Sequence, residues 1–396
     1  MNVIVCNIGS TSFKFQLIDM SNEDVLARVH VERVGSENAY ARYYRGMDEL
    51  VKEEESSIPS QREAVQRGLD FLTSEIIDSI DMVDAVGFKA VQAGEKSFTV
   101  IIDDEILAAM EEYNDLAPAH NPAYLQAMRM FGELLPDKNL VGVFEPGFHV
   151  DRPDYAQVYG APYEWFEKYG VRKYGYHGAS FRFVTGETVR RLDLDPDNHK
   201  IVACHLGGSS SVCAYKNGKS IDTSMGFTPQ TGLIQSSRTG DIDAYVVPYI
   251  MRKTGMDIDS VYRELSKNGG LYGLSGVSGD MRDIIEAIEQ GNDRARLARD
   301  KYVYDIKAYL GAYIVQMEGL DAVCFTGGTG QHQPDLRKRV LSPLAFMGFK
   351  LDEAANNEGM ERIDADGSSV AALVLDTNEE IIVARETARL AAENSK

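Results

Sequence analysis

A hairpin pattern that occurs twice constrains the fold more than any other feature of the chain. In Val3–Asp19, apolar alternation predicts two strands around a tight turn rich in Gly, Ser and Thr. Lys200–Thr223 repeats this plan with a Gly-Gly-Ser-Ser-Ser turn and adds a third strand after an Asn-Gly turn. The copies are roughly 200 residues apart, half the chain. A duplicated domain explains this spacing, and a chance likeness of two Gly/Ser hairpins is the alternative.

Both turns carry groups that bind anions. Backbone N–H groups and hydroxyls donate hydrogen bonds to anionic oxygens, and Lys14 lies just beyond the first turn. A hairpin needs only Asn-Gly to reverse the chain, so the extra hydroxyls, the amide of Asn7 and the lysine indicate a further role. Two such tips that face each other would form a phosphate clamp between domains.

Length and periodicity predict two mixed α/β domains. The chain has 396 residues, of which 44% are apolar, enough for a core in each domain. Helical periodicity marks 61–80, 104–113, 121–131, 297–317 and 378–392, and strand-like runs mark 85–87, 141–144 and 322–325. We expect an N-terminal domain over 1–150 and a C-terminal, nucleotide-binding domain over 151–379. The final helix, about 380–396, is expected to pack on the first domain.

Composition argues against several classes of partner. The net charge of −20 would repel the phosphate backbone of a nucleic acid. No stretch reaches the roughly 20 apolar residues of a membrane span, and the apolar run before the first turn is too short for a signal peptide. Glu53–Glu55, the densest acidic run, is predicted to be a solvated loop. The four cysteines lie in strand-like runs without CxxC spacing, which predicts buried free thiols and a reducing, cytoplasmic setting.

Three other loops contain glycines or charged residues that a simple connection between two elements does not require. A Gly-Gly-Thr-Gly turn after a strand places N–H groups at a helix start, where an anion or a plain connection fits equally well. Asp280 is predicted to cap a helix whose first turn holds Arg282; acidic residues are favoured there, so Arg282 is expected to have a separate role. Arg238 lies near Asp241 and Asp243, and both an ion pair and contact with a transferring phosphoryl group are open.

At these residues the chain resembles the acetate/propionate kinase family. The resemblance runs from end to end and rests on NIGSTSFK, LAPAHNPA, VFEPGFH, YGYHGAS, SIDTSMGFTP, SRTGDID, LSGVSGDMRDI, FTGGTG and TNEEIIVARET. It implies the duplicated two-domain α/β fold of the acetate and sugar kinase/chaperone/actin superfamily, with a nucleotide cleft between the domains. It also implies reversible phosphoryl transfer between ATP and a short-chain carboxylate, giving acyl phosphate and ADP, by a homodimer.

The resemblance assigns roles to residues at matching positions. The predicted Mg²⁺ residues are Asn7 and Glu379. The predicted catalytic residues are Glu145, His177 and Arg238. The predicted acceptor-binding residues are Lys89, Val91, Ala119 and Pro229. The predicted nucleotide-binding residues are Ser10, Ser12, Lys14, His205, Gly207, Gly208, Ser209, Asp280, Met281, Arg282, Gly328, Gly330, Gln331 and His332.

The chain departs from the family pattern in both substrate regions. Lys89 replaces the arginine that grips the substrate carboxylate, and a point charge replaces a two-pronged donor. Glu145 stands in place of the usual aspartate. Gly208–Ser209 replaces Asn-Gly in the phosphate loop, and Gln331–His332 replaces Glu-Asn at the base pocket.

These departures leave the acid and the phosphoryl donor open. Family members commonly carry Leu where this chain has Ala119, so a larger or hydroxylated acid is one alternative. A different donor, such as pyrophosphate, is the second. The third belongs to another class: a catalytically silent homologue that binds nucleotide as a sensor or scaffold.

Overall fold

The computed structural model describes residues 1–9, 11–118 and 120–394. Its strands are β1 (Asn2–Ile8), β2 (Ser12–Asp19), β3 (Asp24–Glu32), β4 (Ala39–Arg45), β5 (Glu49–Ser56), β6 (Ala85–Ala90), β7 (Thr99–Ile101), β8 (Asn139–Phe144), β9 (Lys200–Leu206), β10 (Ser210–Lys216), β11 (Lys219–Thr223), β12 (Ala322–Thr326) and β13 (Ala371–Val374). Its α-helices are α1 (Gln61–Glu75), α2 (Asp104–Glu112), α3 (Asn121–Leu134), α4 (Asp154–Gln157), α5 (Tyr163–Tyr169), α6 (Gly178–Arg191), α7 (Val246–Thr254), α8 (Ile258–Lys267), α9 (Gly270–Ser275), α10 (Met281–Glu289), α11 (Asp293–Met317), α12 (Gly327–His332), α13 (Pro334–Leu341), α14 (Glu353–Glu358) and α15 (Glu379–Asn394).

The chain divides into two compact units, of which the first comprises Met1–Gly147 and Asn378–Lys396. Its strands form one sheet in the order β5-β4-β3-β2-β1-β6-β8-β7. Strands β1, β6 and β8 are parallel, whereas β1 to β5 form an antiparallel meander. Helix α15 packs on β1, β6, β7 and β8. Gly87 permits this close approach, because a Cβ there would lie 2.2 Å from Thr387 Oγ1.

The acidic run Glu53–Glu55 is not a loop, so this prediction is wrong. It lies on β5, the edge strand, and pairs with β4. Arg42 Nε lies 3.2 Å from Glu53 Oε1, and the Tyr43 hydroxyl donates to Glu54 Oε1 at 2.7 Å. An edge strand exposes one face and one edge to water, so it tolerates a charge density that a local pattern reads as a loop.

The largest differences between the predicted and observed helix ends are in α1 and α11. Helix α1 begins at Gln61, where the Ser60 hydroxyl accepts from Glu63 N, but it ends at Glu75 rather than Ile80. The Ser79 hydroxyl caps a separate 3₁₀ helix, Ile80–Met82. This local hydrogen bond to the backbone favours a new helix start over continuation of α1. Helix α11 starts earlier than predicted, at Asp293, because Asn292 caps it.

The second unit, Phe148–Thr377, has one sheet in the order β11-β10-β9-β12-β13. Strand β9 is antiparallel to β10 and parallel to β12, which is parallel to β13. The order and directions match those of β3-β2-β1-β6-β8 in the first unit. The repeated hairpin therefore belongs to a repeated sheet, and the prediction of a duplicated fold is confirmed.

The remaining predictions on composition concern cysteines and membranes. Cys6, Cys204, Cys213 and Cys324 are buried and free, as predicted, and burial raises the pKa of each thiol. In the part of the chain that the structure describes, no helix is both long and apolar enough to span a membrane.

Candidate active site

In the first unit, residues far apart in sequence meet at one edge of the sheet. Asn7 lies near the end of β1, Lys89 near the end of β6, and Glu145 directly follows β8. These strands are parallel neighbours, so their carboxyl ends lie at the same edge, where open α/β sheets bind ligands. Glu379 is the first residue of α15 and contacts the Lys89 ammonium.

Lys89 pairs with two acidic residues at once. Its Nζ contacts Glu379 and lies 3.3 Å from Glu145 Oε1. The side chains are 25% (Lys89), 7% (Glu145) and 16% (Glu379) exposed. Burial alone would lower the pKa of the Lys89 ammonium, but attraction to Glu145 and Glu379 outweighs burial and raises the pKa above its ordinary value. The lysine therefore stays charged and holds the two carboxylates together.

Two residues that the sequence analysis missed fix the first hairpin tip. Gly9 N donates to Ser12 O at 3.0 Å and closes the turn. The side chain of Gln61, at the start of α1, donates to Gly9 O at 3.1 Å. The hydroxyl of Tyr124, on α3, accepts from Ile8 N at 3.2 Å. Neither residue carries a local motif, since each acts only through a contact with a distant turn.

Asn7 and Lys14 face the same side of the first hairpin. They are directly paired in the β1–β2 register, whereas Phe13 and Phe15 point into the core. The amide oxygen of Asn7 and the carboxylate of Glu379 are hard oxygen ligands, the kind that Mg²⁺ prefers, and they fit a site that retains several waters. Ser10 and Ala119, both predicted site residues, lie outside the described residues.

The second unit brings two predicted histidines together. The rings of His177 and His205 stack with centroids 4.1 Å apart and an interplanar angle of 21°. His177 Nδ1 is hydrogen-bonded to Ser211 Oγ at 2.7 Å, and His205 Nδ1 to Ser180 Oγ at 2.8 Å. His177 has a φ of 58° at the start of α6, in the left-handed region that non-glycine residues adopt at a cost of about 1–3 kcal/mol. The backbone before α6 therefore holds the His177 ring in a conformation that non-glycine residues seldom adopt.

Arg238 has neutral hydrogen-bond acceptors. Its Nη1 donates to Ser209 Oγ at 3.1 Å, Gln235 Oε1 at 3.1 Å and Pro229 O at 3.3 Å. Asp241 instead accepts from Gly232 N at 2.8 Å and contacts the Tyr309 hydroxyl. Burial lowers the pKa of Arg238 from its ordinary value. These contacts favour a role in binding phosphoryl oxygens over a structural ion pair.

A cavity of about 410 Å³ lies in the same unit. Its lining contains Gly207, Gly208, Ser236, Gly279, Asp280, Met281, Arg282, Gly328, Thr329, His332 and Gln333. At Gly208 and Gly328 an added Cβ would meet nothing within 4 Å. These glycines therefore leave backbone open to a ligand.

The elements around this cavity differ in detail from the sequence predictions. Gly327–His332 is itself a helix, α12, rather than a turn before one. Asp280 caps α10 as predicted, accepting from Arg282 N, but the Arg282 guanidinium also pairs with Asp280 at 2.6 Å. The Arg282 guanidinium thus neutralises the carboxylate of Asp280, the residue that caps the helix.

Gln331 and Arg337 support α12 from outside the cavity. The Gln331 side chain donates to Leu375 O at 3.1 Å and contacts Asp376, so it is not part of the cavity lining. Arg337, fully buried and missed by the sequence analysis, donates to Gly330 O at 2.8 Å and Gln331 O at 2.6 Å. It satisfies carbonyls at the end of α12 that no helical N–H reaches.

The glycine-lined cavity and Arg238, whose described acceptors are neutral, offer backbone N–H groups and positive charge that suit phosphate groups, as in a phosphotransferase. The chain belongs to the acetokinase family, whose model matches residues 2–385, so the resemblance seen in the sequence is confirmed. It is 42% identical to the acetate kinase of Halothermothrix orenii, covering 98% of this chain and 99% of that protein.

Solved structures agree. The structure superposes on Porphyromonas gingivalis acetate kinase with a TM-score of 0.89 and 38% identity, over 98% of this chain and 99% of that one. A propionate kinase from Francisella tularensis gives a TM-score of 0.89 at 31% identity, again over 98% and 99% of the chains. The predicted fold class is therefore confirmed.

Proposed function

We propose that this protein is a carboxylate kinase that reversibly transfers a phosphoryl group between Mg²⁺–ATP and acetate or propionate, giving acyl phosphate and ADP. The observation that carries the proposal is the assembly at one strand edge of Asn7, Lys89, Glu145 and Glu379, in a chain of the acetokinase family. In this proposal Lys89 donates to the acceptor carboxylate, and Val91 and Pro229 keep the acceptor-binding roles that the family resemblance implies.

The chemistry accounts for these residue types. A carboxylate is already ionised at neutral pH, so the nucleophile needs no strong base. Two anions must approach each other, and Arg238 and His177 donate to the phosphoryl oxygens on which charge is spread during transfer. Asn7 and Glu379 would hold Mg²⁺, which would supply neutralisation of the phosphate charge.

The cavity supports a nucleotide donor over pyrophosphate. Its volume of about 410 Å³ lies within the range of small-molecule sites, roughly 300–1,000 Å³, and pyrophosphate alone would leave most of it empty. In this proposal the loop Gly207–Gly208 offers backbone N–H groups to the phosphates, and Asp280–Arg282 with His332, which line the same cavity, bind ribose and base.

An assay of acyl phosphate tests the function directly. Hydroxylamine trapping would be run with acetate, propionate, butyrate and a hydroxy acid, each with Mg²⁺–ATP and with Mg²⁺–pyrophosphate. We expect product with ATP and acetate or propionate, and loss of product when Mg²⁺ is chelated. Product with pyrophosphate alone would overturn the donor assignment, and a tenfold preference for a larger acid, about 1.4 kcal/mol, would overturn the acceptor assignment. No product despite measured nucleotide binding would support the silent sensor.

We also propose that the protein is a cytoplasmic homodimer. Four free buried thiols suit a reducing compartment. Helix α7 has no buried residue in the single chain, and Tyr245, Tyr249 and Ile258 around it are exposed. An apolar helix needs a partner. A second copy fits, since basic Arg252–Lys253 and acidic Asp257–Asp259 flank the same patch and a two-fold axis would pair them.

Tyr249→Glu is expected to give a monomer. A buried charge at the centre of an apolar interface lacks a partner, so the complex dissociates. Light scattering should give the 43.9 kDa chain mass for this variant and twice that mass for the parent. Tyr304→Glu, on the exposed side of α11, is the matched control and should stay dimeric. A dimeric Tyr249→Glu, or a monomeric parent, would contradict the proposal.

A further inference from the structure

Gln235 has no role assigned so far, yet its side chain lies among three parts of the site. It is fully buried, three residues before Arg238. Its Nε2 donates to Pro229 O at 2.7 Å. Its Oε1 accepts from Ser209 Oγ at 3.0 Å, Ser210 N at 3.3 Å and Arg238 Nη1 at 3.1 Å. Because the Pro229 carbonyl can only accept, the amide has one consistent orientation.

The hydrogen bonds of Gln235 and Arg238 form one closed network. Arg238 Nη1 donates also to Ser209 Oγ and Pro229 O, at 3.1 and 3.3 Å. Both of these acceptors are in turn hydrogen-bonded to Gln235. Within the described residues, every acceptor of this guanidinium nitrogen is therefore Gln235 itself or a group hydrogen-bonded to Gln235.

The backbone beneath this network has little freedom. Gln235 N donates to Arg238 O at 3.0 Å, and Leu271 N donates to Gln235 O at 2.8 Å. Gly270, with a φ of +61°, packs so closely that a Cβ would lie 2.2 Å from Gln235 O and 2.8 Å from Arg238 O. The loop is thus clamped against the start of α9, so the side-chain amide acts from a fixed point.

We infer that Gln235 is a positioning residue that fixes the Arg238 guanidinium and couples it to the phosphate loop at Ser209 and the acceptor wall at Pro229. This inference rests on the proposed function. A neutral amide suits the task, because it orients the guanidinium without cancelling the charge that the transferring phosphoryl group needs. A carboxylate in its place would still accept from Arg238, but it would neutralise the guanidinium and could not donate to Pro229 O.

Gln235→Met, which keeps the volume but removes the hydrogen bonds, tests the inference. We expect kcat to fall about tenfold or more while the KM for nucleotide changes less than about threefold, because orientation matters in the transition state. Gln290→Met, an exposed glutamine at the end of α10, is the matched control and should match the parent. A higher KM with unchanged kcat would overturn the inference in favour of ground-state binding.

A double-mutant cycle separates positioning from a merely structural role. In the Arg238→Ala background, Gln235→Met should lower kcat less than about twofold further, since the group it positions is gone. An equal loss in both backgrounds would overturn the inference. The free energies of unfolding of the same four proteins, measured without substrate, should also be non-additive, and additivity would show that the contacts are not coupled.

A second variant tests the inference if Gln235→Met does not fold. Gln235→Glu keeps the oxygen that accepts from Ser209, Ser210 and Arg238 but loses the donor to Pro229 O. Its carboxylate pairs with Arg238 and should lower kcat about tenfold or more. An unchanged kcat would overturn the inference. An inactive parent would instead overturn the proposed function, whereas an active parent with variants that match Gln290→Met would overturn this inference alone.

Discussion

Arg238→Ala is expected to lower kcat by at least about 100-fold and to leave nucleotide affinity near that of the parent. Loss of one preorganised donor to a transition state costs about 2.7–4 kcal/mol. The guanidinium has neutral acceptors in the described contacts, so its charge is available to the phosphoryl group. Steady-state kinetics with Mg²⁺–ATP, together with calorimetric binding of nucleotide, measure the two quantities.

Arg263→Ala, an exposed arginine on α8, is the control for loss of a positive charge in the same unit. Its kcat should stay within about twofold of the parent. If the kcat of Arg238→Ala is within a few-fold of the parent value, Arg238 has a structural role and not a catalytic one.

Lys89→Met is expected to lower the free energy of unfolding by about 3 kcal/mol. Removal of the cation leaves the carboxylates of Glu145 and Glu379 close together and largely buried without the positive charge of Lys89 between them. The KM for the acid should also rise about tenfold at an unchanged nucleotide KM, because the third N–H of Lys89 is the one that the proposal gives to the acceptor. Urea unfolding and steady-state kinetics measure these effects.

Lys96→Met is the matched control, since Lys96 pairs with Glu105 at the surface of the same unit and should cost less than about 1 kcal/mol. Lys89→Met/Glu145→Gln should recover part of the lost stability, because one of two neighbouring, like-charged carboxylates is gone. Equal losses for Lys89→Met and Lys96→Met would contradict the assigned contacts, and an unchanged KM for the acid would remove Lys89 from the acceptor site.

The sequence determined the hairpins and the family. Strand alternation and Gly/Ser turns are local signals, so β1, β2, β9 and β10 appear where the pattern places them. Family motifs fixed the reaction class, because each combines several residues whose chemistry is visible without coordinates. Edge strand β5 was not predicted because acidic residues in it pair with cations on other elements, Arg42 on β4 and Arg67 on α1, which a linear pattern does not show.

Only the tertiary structure decided which residues act together. The sequence presents Lys89 and Glu145 as two separate departures from the family, yet the two side chains are in contact. A lysine, shorter than the usual arginine, therefore pairs with a glutamate, longer than the usual aspartate. Glu379 joins them from 290 residues beyond Lys89. Gln235 carries no motif at all, and its importance lies in four hydrogen bonds. Such contacts depend on strand order and on loops packed by distant elements, and neither is encoded in the spacing of neighbouring residues.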